Sequence, residues 1–408
     1  MKFLALTTTI FAAAKSVWTR GSPFAVLSAL WATNHEGKYI IESEGIRLAF
    51  TNHGAAVTNL WINNTHGEEI DIVLGLDNGD DYAKLTSNPY LNGVIGTELQ
   101  CRMASPIPYG SKKKGRIKLL MKAVRTRKVW PNAHNRTSTF NGGDEGWGRQ
   151  TWDVAVHINN SITFLMFDRQ WNGFPGVFAS CLTHTVTPYE WRIAFGVTPL
   201  LFAGPINLSQ QVFFNLDGFR YPPKPVSTTF RESNSNTSST QVRRPPSHQL
   251  QLPSSGMRFA MDPQGIPTGD LLSNRKGGEF DFWSSAKTML DGWRGLNDVF
   301  AISHTYPEHK MTNPAAILSS THSGISLSLY TDQDALRVHT WGGSNEVKKL
   351  KLGQGGGEIP QHAAISLEMQ NWPDSVNHPE WQNRKTIWGA DGLYTSFATY
   401  KFSVQGKS

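Results

Sequence analysis

The chain has 408 residues, with 39 basic against 32 acidic side chains and a formal net charge of +7. Ten of the basic residues, and no acidic one, fall between Arg102 and Lys128; without them the balance is 29 basic to 32 acidic. The positive charge therefore belongs to one segment, which argues against a nucleic-acid-binding surface spread over the fold. Rich aromatic content with 37 Gly and 22 Pro points to a turn-rich β protein, and neither heptads nor a solenoid period is present.

In chain order, Met1-Lys2 and the apolar run Phe3 to Ala14 read as a secretory signal, with Phe24 to Ala32 offering a later cut. Residues 1–32 are thus expected to be a signal peptide or a disordered N-terminal segment. Five Asn-x-Ser/Thr triplets, at Asn63, Asn135, Asn159, Asn207 and Asn236, fit a secreted chain; a cytoplasmic one is the alternative. Strand patterns begin at Tyr39: Ile40-Ile41, Ile46 to Phe50 and Ala56 to Ile62 are short and separated by Gly and Asn turns. Residues 102–130 are basic and irregular, expected as a solvated insert or, less simply, an anion-binding patch. Trp191 to Val197 alternates large apolar with small or polar residues, the mark of a half-buried strand. Residues 223–250, rich in Ser, Thr, Asn, Pro and Gln, are expected as a second, flexible insert. Ile325 to Tyr330 and Ala335 to Trp341 again read as strands, and no long stretch carries a helical period. Residues 39–405 are expected to form one domain. Cys101 and Cys181 allow at most one disulfide, and no metal-ligand spacing occurs. His184, between Leu182 and Val186 on one strand face, reads as a packed core residue.

The stretch richest in chemistry is Leu367-Glu368-Met369-Gln370-Asn371-Trp372-Pro373-Asp374-Ser375-Val376-Asn377-His378-Pro379. A carboxylate ends an apolar alternating run, and a Pro/Asp/Asn turn follows. A strand stopping there would hold Glu368 at a sheet edge, aimed into a cleft. The run resembles the C-terminal motif of the aldose 1-epimerases, or galactose mutarotases, in which this Glu is the catalytic base. Four further stretches carry the resemblance. They are Asn88 to Gly96; Phe140-Asn141-Gly142-Gly143 with Gly146-Trp147; Pro205 to Leu216; and Asp262 to Gly269 with Phe280-Asp281-Phe282.

The resemblance covers roughly residues 40–403 and implies an all-β fold, a large antiparallel β-sandwich called a supersandwich. It implies interconversion of the α and β anomers of an aldohexose such as glucose or galactose. A base takes the proton of the anomeric hydroxyl, an acid protonates the ring oxygen, and the aldehyde rotates before closing again. No metal or organic cofactor is required, no nucleic acid or membrane is involved, and a monomer suffices. The aromatic content suits a cleft that stacks on sugar rings.

Several positions depart from the family pattern. The acid histidine falls on Gln211, the second, substrate-binding histidine on Asn141, and the arginine expected after Gly96 on Thr97. The substrate-binding aspartate falls on Asn297, or on Asp298 with a one-residue shift. Gln and Asn hydrogen-bond sugar hydroxyls but deliver no proton at neutral pH. His339, with Phe213 and Trp341, is expected to line the cleft, and His339 is the candidate for a relocated acid. Two functions follow: an aldose 1-epimerase with weakened chemistry, catalytic pair Glu368 and Gln211, or a non-catalytic sugar-binding protein on the same scaffold. A misjoined coding segment between Gly96 and Asn141 would explain Thr97 and the basic insert but not Gln211.

Overall fold

The computed structural model describes residues 31–86, 90–96, 100–102, 138–168, 174–220, 248–289, 295–304, 310–344, 346–378, 380–381, 387–389 and 392–406. The N-terminal segment up to residue 30, Thr97, residues 103–130 and 223–247, and the triplets at Asn135 and Asn236 lie outside the described residues. Cys101 is described in backbone only; Cys181 is a free, buried thiol.

The expected all-β antiparallel architecture is what forms. Among the described residues, the strands make a nine-stranded, a six-stranded and a four-stranded sheet, with three two-stranded pairs. The nine-stranded sheet is built on two long strands, Val177–Thr187 and Glu190–Leu201, joined by the tight turn Pro188-Tyr189. Proline presets the first turn residue, and Tyr189 takes a left-handed φ of 54° at the second. Tyr394–Val404 pairs with Glu190–Leu201 on one side and Ile325–Thr331 on the other. The four-stranded sheet comprises Tyr39–Ser43, Ile46–Phe50, Val57–Asn63 and Glu69–Asp71.

The six-stranded sheet carries the chemistry. Its order is Phe213–Phe214, Ile365–Gln370, Ala335–Thr340, Asn297–Ala301, Met257–Met261 and Pro267–Ser273, all antiparallel. Strand alternation splits its residues between two faces. Ile365, Leu367, Met369, Leu336, Val338 and Phe300 join the main core. Each such burial contributes about 1.5–3 kcal/mol. That core is shared with the nine-stranded sheet: Tyr400 stacks on Trp191 with ring centroids 4.7 Å apart, and its hydroxyl donates to the Leu367 carbonyl at 3.4 Å. His184 lies there too, stacked on Trp191 and 4.6 Å from the ring of Phe50. The opposite face of the six-stranded sheet holds Ser366, Glu368, Arg337, His339 and Asn297 in adjacent register positions.

Three boundaries differ from the sequence expectation. Trp31 is half-buried against the core, edge-on to His157 at 6.2 Å. Arg102 closes a short strand, Gln100–Arg102, paired with Ser138–Phe140. The second insert ends earlier than residue 250. Gln249–Gln251 adds to the nine-stranded sheet beside Ala316–Ser319, and Leu250 is fully buried. The polar composition of 223–250 masks this one apolar anchor. Asn207, one of the Asn-x-Ser triplets, is also fully buried.

Candidate active site

Glu368 sits inside the strand Ile365–Gln370, second from the sheet edge, and is fully buried. This corrects the expectation of a strand-end residue at a sheet edge. The strand continues through Met369 and Gln370 because both of its faces are covered, so alternation alone did not show where it stops. Four side chains address the carboxylate. Oε1 accepts from Ser366 Oγ at 2.5 Å and from Gln211 Nε2 at 3.1 Å. Oε2 accepts from Arg337 Nη1 at 2.9 Å. His339 Nδ1 lies 3.9 Å from Oε1. Burial pushes the Glu368 carboxyl up. Arg337, His339 and the bonds from Ser366 and Gln211 together outweigh it and hold the group below its ordinary value.

Gln211 reaches Glu368 because its segment changes sheets. Ser209–Gln210 pairs with Val94–Ile95, and Phe213–Phe214 then joins the edge of the six-stranded sheet beside Ile365 and Ser366. Asn92 fixes this crossing: its Oδ1 accepts from Phe213 N at 3.1 Å and its carbonyl from Gln210 Nε2 at 2.6 Å. Asn207 clamps the far end of the Glu368 strand, its amide bonding both N and O of Asn371 at 2.9 and 3.3 Å. Asn141 is buried and left-handed at φ 51°, followed by Gly142 and Gly143 at φ 83° and 90°. Such a run suits Asn-Gly-Gly and few other sequences. A Cβ at Gly146 would stand 2.5 Å from the Asn141 carbonyl, so the turn also needs that glycine.

His339 shares the face of Glu368, and its ring meets Phe213 edge-on at 5.4 Å. Burial, reinforced by the Arg337 charge and opposed by Glu368, pushes its imidazole down to about 4. It is therefore neutral at physiological pH. Phe213 also meets Trp341 at 5.1 Å. Asn297 accepts from Arg337 Nε and Nη2 at 3.0 and 2.7 Å. Asp298 pairs with Val338, a core residue, and so projects from the other face of the sheet. On the expected site residues, four buried polar atoms find no hydrogen-bond partner among the described residues: Gln211 Oε1, Asn141 Oδ1, His339 Nδ1 and Trp341 Nε1. Unpaired buried polar atoms are costly, and at least Gln211 and His339 lie at the carboxylate.

Three contributors were not anticipated. Arg337 and Ser366 each lie two residues before an expected site residue on the same strand face, a spacing that could have exposed them. The third is Lys351, whose ammonium donates to Asp71 Oδ2 and the Thr58 carbonyl, both at 2.6 Å. It ties down the loop whose Val347 and Leu350 pack with Phe213 and Trp341. His362, at φ 59°, bonds Thr340 Oγ1 through Nδ1 at 3.1 Å. His378 stacks on Trp381 and bonds Glu380.

The sandwich is of the galactose mutarotase-like kind. It superposes on the GalM/aldose epimerase homologue from C. elegans with a TM-score of 0.71 at 20% identity, covering 90% of this chain and 99% of that one. The aldose 1-epimerase family profile matches residues 126–388. Epimerase FSL3 of Gibberella zeae is 52% identical across 98% of this chain and 92% of its own length. Human galactose mutarotase is 25% identical across 90% of this chain and 94% of its own. The chain belongs to the aldose 1-epimerase family, and thus to a family of isomerases.

Proposed function

We propose that this site interconverts the α and β anomers of a neutral aldohexose by opening the ring, at a rate weakened at neutral pH. The observation that carries the reading is the buried, ionised Glu368, poised at a cluster of unpartnered polar atoms. The carboxylate takes the proton of the anomeric hydroxyl, the C1–O1 bond becomes a carbonyl, and the bond from C1 to the ring oxygen breaks. The ring oxygen takes its proton from water, or from His339 when that ring is an imidazolium. Gln211, where the family places its acid, holds the carboxylate instead and donates no proton. Losing one general acid costs about 10²–10⁴-fold in rate. The rate is therefore expected to rise as pH falls from 7 and the His339 imidazolium fraction grows.

A second reading, sugar binding without turnover, draws on the same geometry. Both groups nearest the reacting centre, Glu368 and neutral His339, accept protons at neutral pH. Magnetisation exchange between the α and β anomeric protons of glucose or galactose, with calorimetric titration of the same sugars, separates the two. Exchange above the buffer rate that Glu368→Gln abolishes supports catalysis. Binding without exchange supports the second reading, and neither would end both.

A further inference from the structure

Arg337 occupies a position that no expected role accounted for, and Asn297 stands where a carboxylate was expected. The two are joined. Arg337 Nε and Nη2 both end on the single Oδ1 of Asn297, and Nη1 ends on Glu368 Oε2 at 2.9 Å. The ring of Phe140 lies 5.4 Å from the guanidinium carbon, whose side chain is only 5% exposed. An amide oxygen orients a guanidinium without cancelling its charge. A carboxylate at the same place would take Arg337 as a bidentate partner and share that charge away from Glu368. With its oxygen committed to Arg337, the Asn297 amide has only its NH₂ group left to offer a ligand.

We propose that Arg337 is a positioning residue whose charge is reserved for Glu368 because residue 297 is neutral, and that this pairing sets the strength of the site's base. The proposal rests on Glu368 being the proton acceptor of the reaction above. The other groups facing Glu368 do not replace Arg337. His339, on the same strand as Arg337, also lowers the Glu368 carboxyl but less than Arg337 does; it is neutral at physiological pH, and His362 beyond it pushes that ring further down. Ser366 and Gln211 are uncharged donors. Tyr400, reaching in from the nine-stranded sheet, has its hydroxyl pushed up by burial and by Glu368, so it too is neutral.

The test follows the carboxyl carbon of Glu368 by ¹³C NMR in glutamate-labelled protein, assigned by the resonance missing from Glu368→Gln. In the native chain the midpoint is expected below the ordinary glutamate range. Arg337→Gln and Asn297→Asp are each expected to raise it by about 1–3 units, the effect of one adjacent charge. Arg337→Lys is expected to restore a low midpoint in part. Should Arg337→Gln fail to fold, Asn297→Asp, at an exposed position, carries the test. A purely structural arginine would lower thermal stability and leave the midpoint at its native value; that result in folded Asn297→Asp overturns the proposal. The carboxyl signal needs no turnover, so a native protein without anomer exchange counts against the proposed reaction alone.

Discussion

Acidification should destabilise this protein well above the usual carboxylate range, because three histidines are buried in the neutral state. His184 accepts from Trp191 Nε1 at 3.2 Å, and burial pushes it down to about 3. His248 accepts from Leu216 N at 2.7 Å and is pushed to about 4, burial outweighing the opposing charge of Asp217. His339 is also pushed to about 4. In the unfolded chain each titrates near 6.5, so as pH falls through 6 the unfolded state binds protons that the native state refuses. At pH 5 the difference approaches about three protons, a slope of about 4 kcal/mol per pH unit. Between pH 6 and 5 the loss is about 3–4 kcal/mol, a large share of the 5–15 kcal/mol typical of folded domains. Urea unfolding at half-unit pH intervals, read by tryptophan fluorescence, gives the slope directly. His184→Phe, which keeps an aromatic ring between Phe50 and Trp191, should lower the uptake from about three protons to about two. An uptake below one proton between pH 6 and 5 in the native chain would show that burial does not hold these histidines neutral.

Restoring an imidazole by Gln211→His places a proton donor against Glu368 and should raise the rate of anomer exchange by about 10-fold or more, short of the full 10²–10⁴ of a general acid; polarimetry measures it. Glu368 itself adds acid sensitivity: its folded value is depressed, so its stabilisation is present above the unfolded value near 4.3 and fades as pH falls through the folded one. In Glu368→Gln, the drop in melting temperature below pH 4 should be shallower than in the native chain. Lys351→Met leaves Asp71, a carboxylate only 9% exposed, without its cation and should cost about 3–5 kcal/mol in urea unfolding. Asn207→Ala removes the clamp on Asn371 and should cost about 1–3 kcal/mol while lowering any turnover by loosening the Glu368 strand.

What the sequence disclosed, and what it withheld, follows from the range of the interactions. Alternation is local, so Ile46 to Phe50, Trp191 to Val197, Ile325 to Tyr330 and Ala335 to Trp341 were legible as strands, each lying on one that forms. The motif around Glu368 was legible because its dozen residues are contiguous. That Glu368 is buried was not: its cover comes from Gln211, 157 positions away in sequence, and from the neighbouring strand through Arg337. The choice between Asn297 and Asp298 was open in the sequence. The register against His339 and Val338 places Asn297 on the site's face and Asp298 on the other. The Lys351–Asp71 pair joins residues 280 positions apart, and nothing in either segment names its partner. Leu250 shows the reverse limit, one apolar anchor closing a polar stretch and drawing it into a sheet.

Glu368 is proposed as a working base whose acid partner has been replaced. The decay of optical rotation of freshly dissolved α-galactose and α-glucose, followed at pH 7 and pH 5.5 for the native chain and Glu368→Gln, tests it most directly. Slow catalysis at pH 7, faster catalysis at pH 5.5, and loss of both in Glu368→Gln are expected. Fast decay that Glu368→Gln leaves untouched would contradict that role.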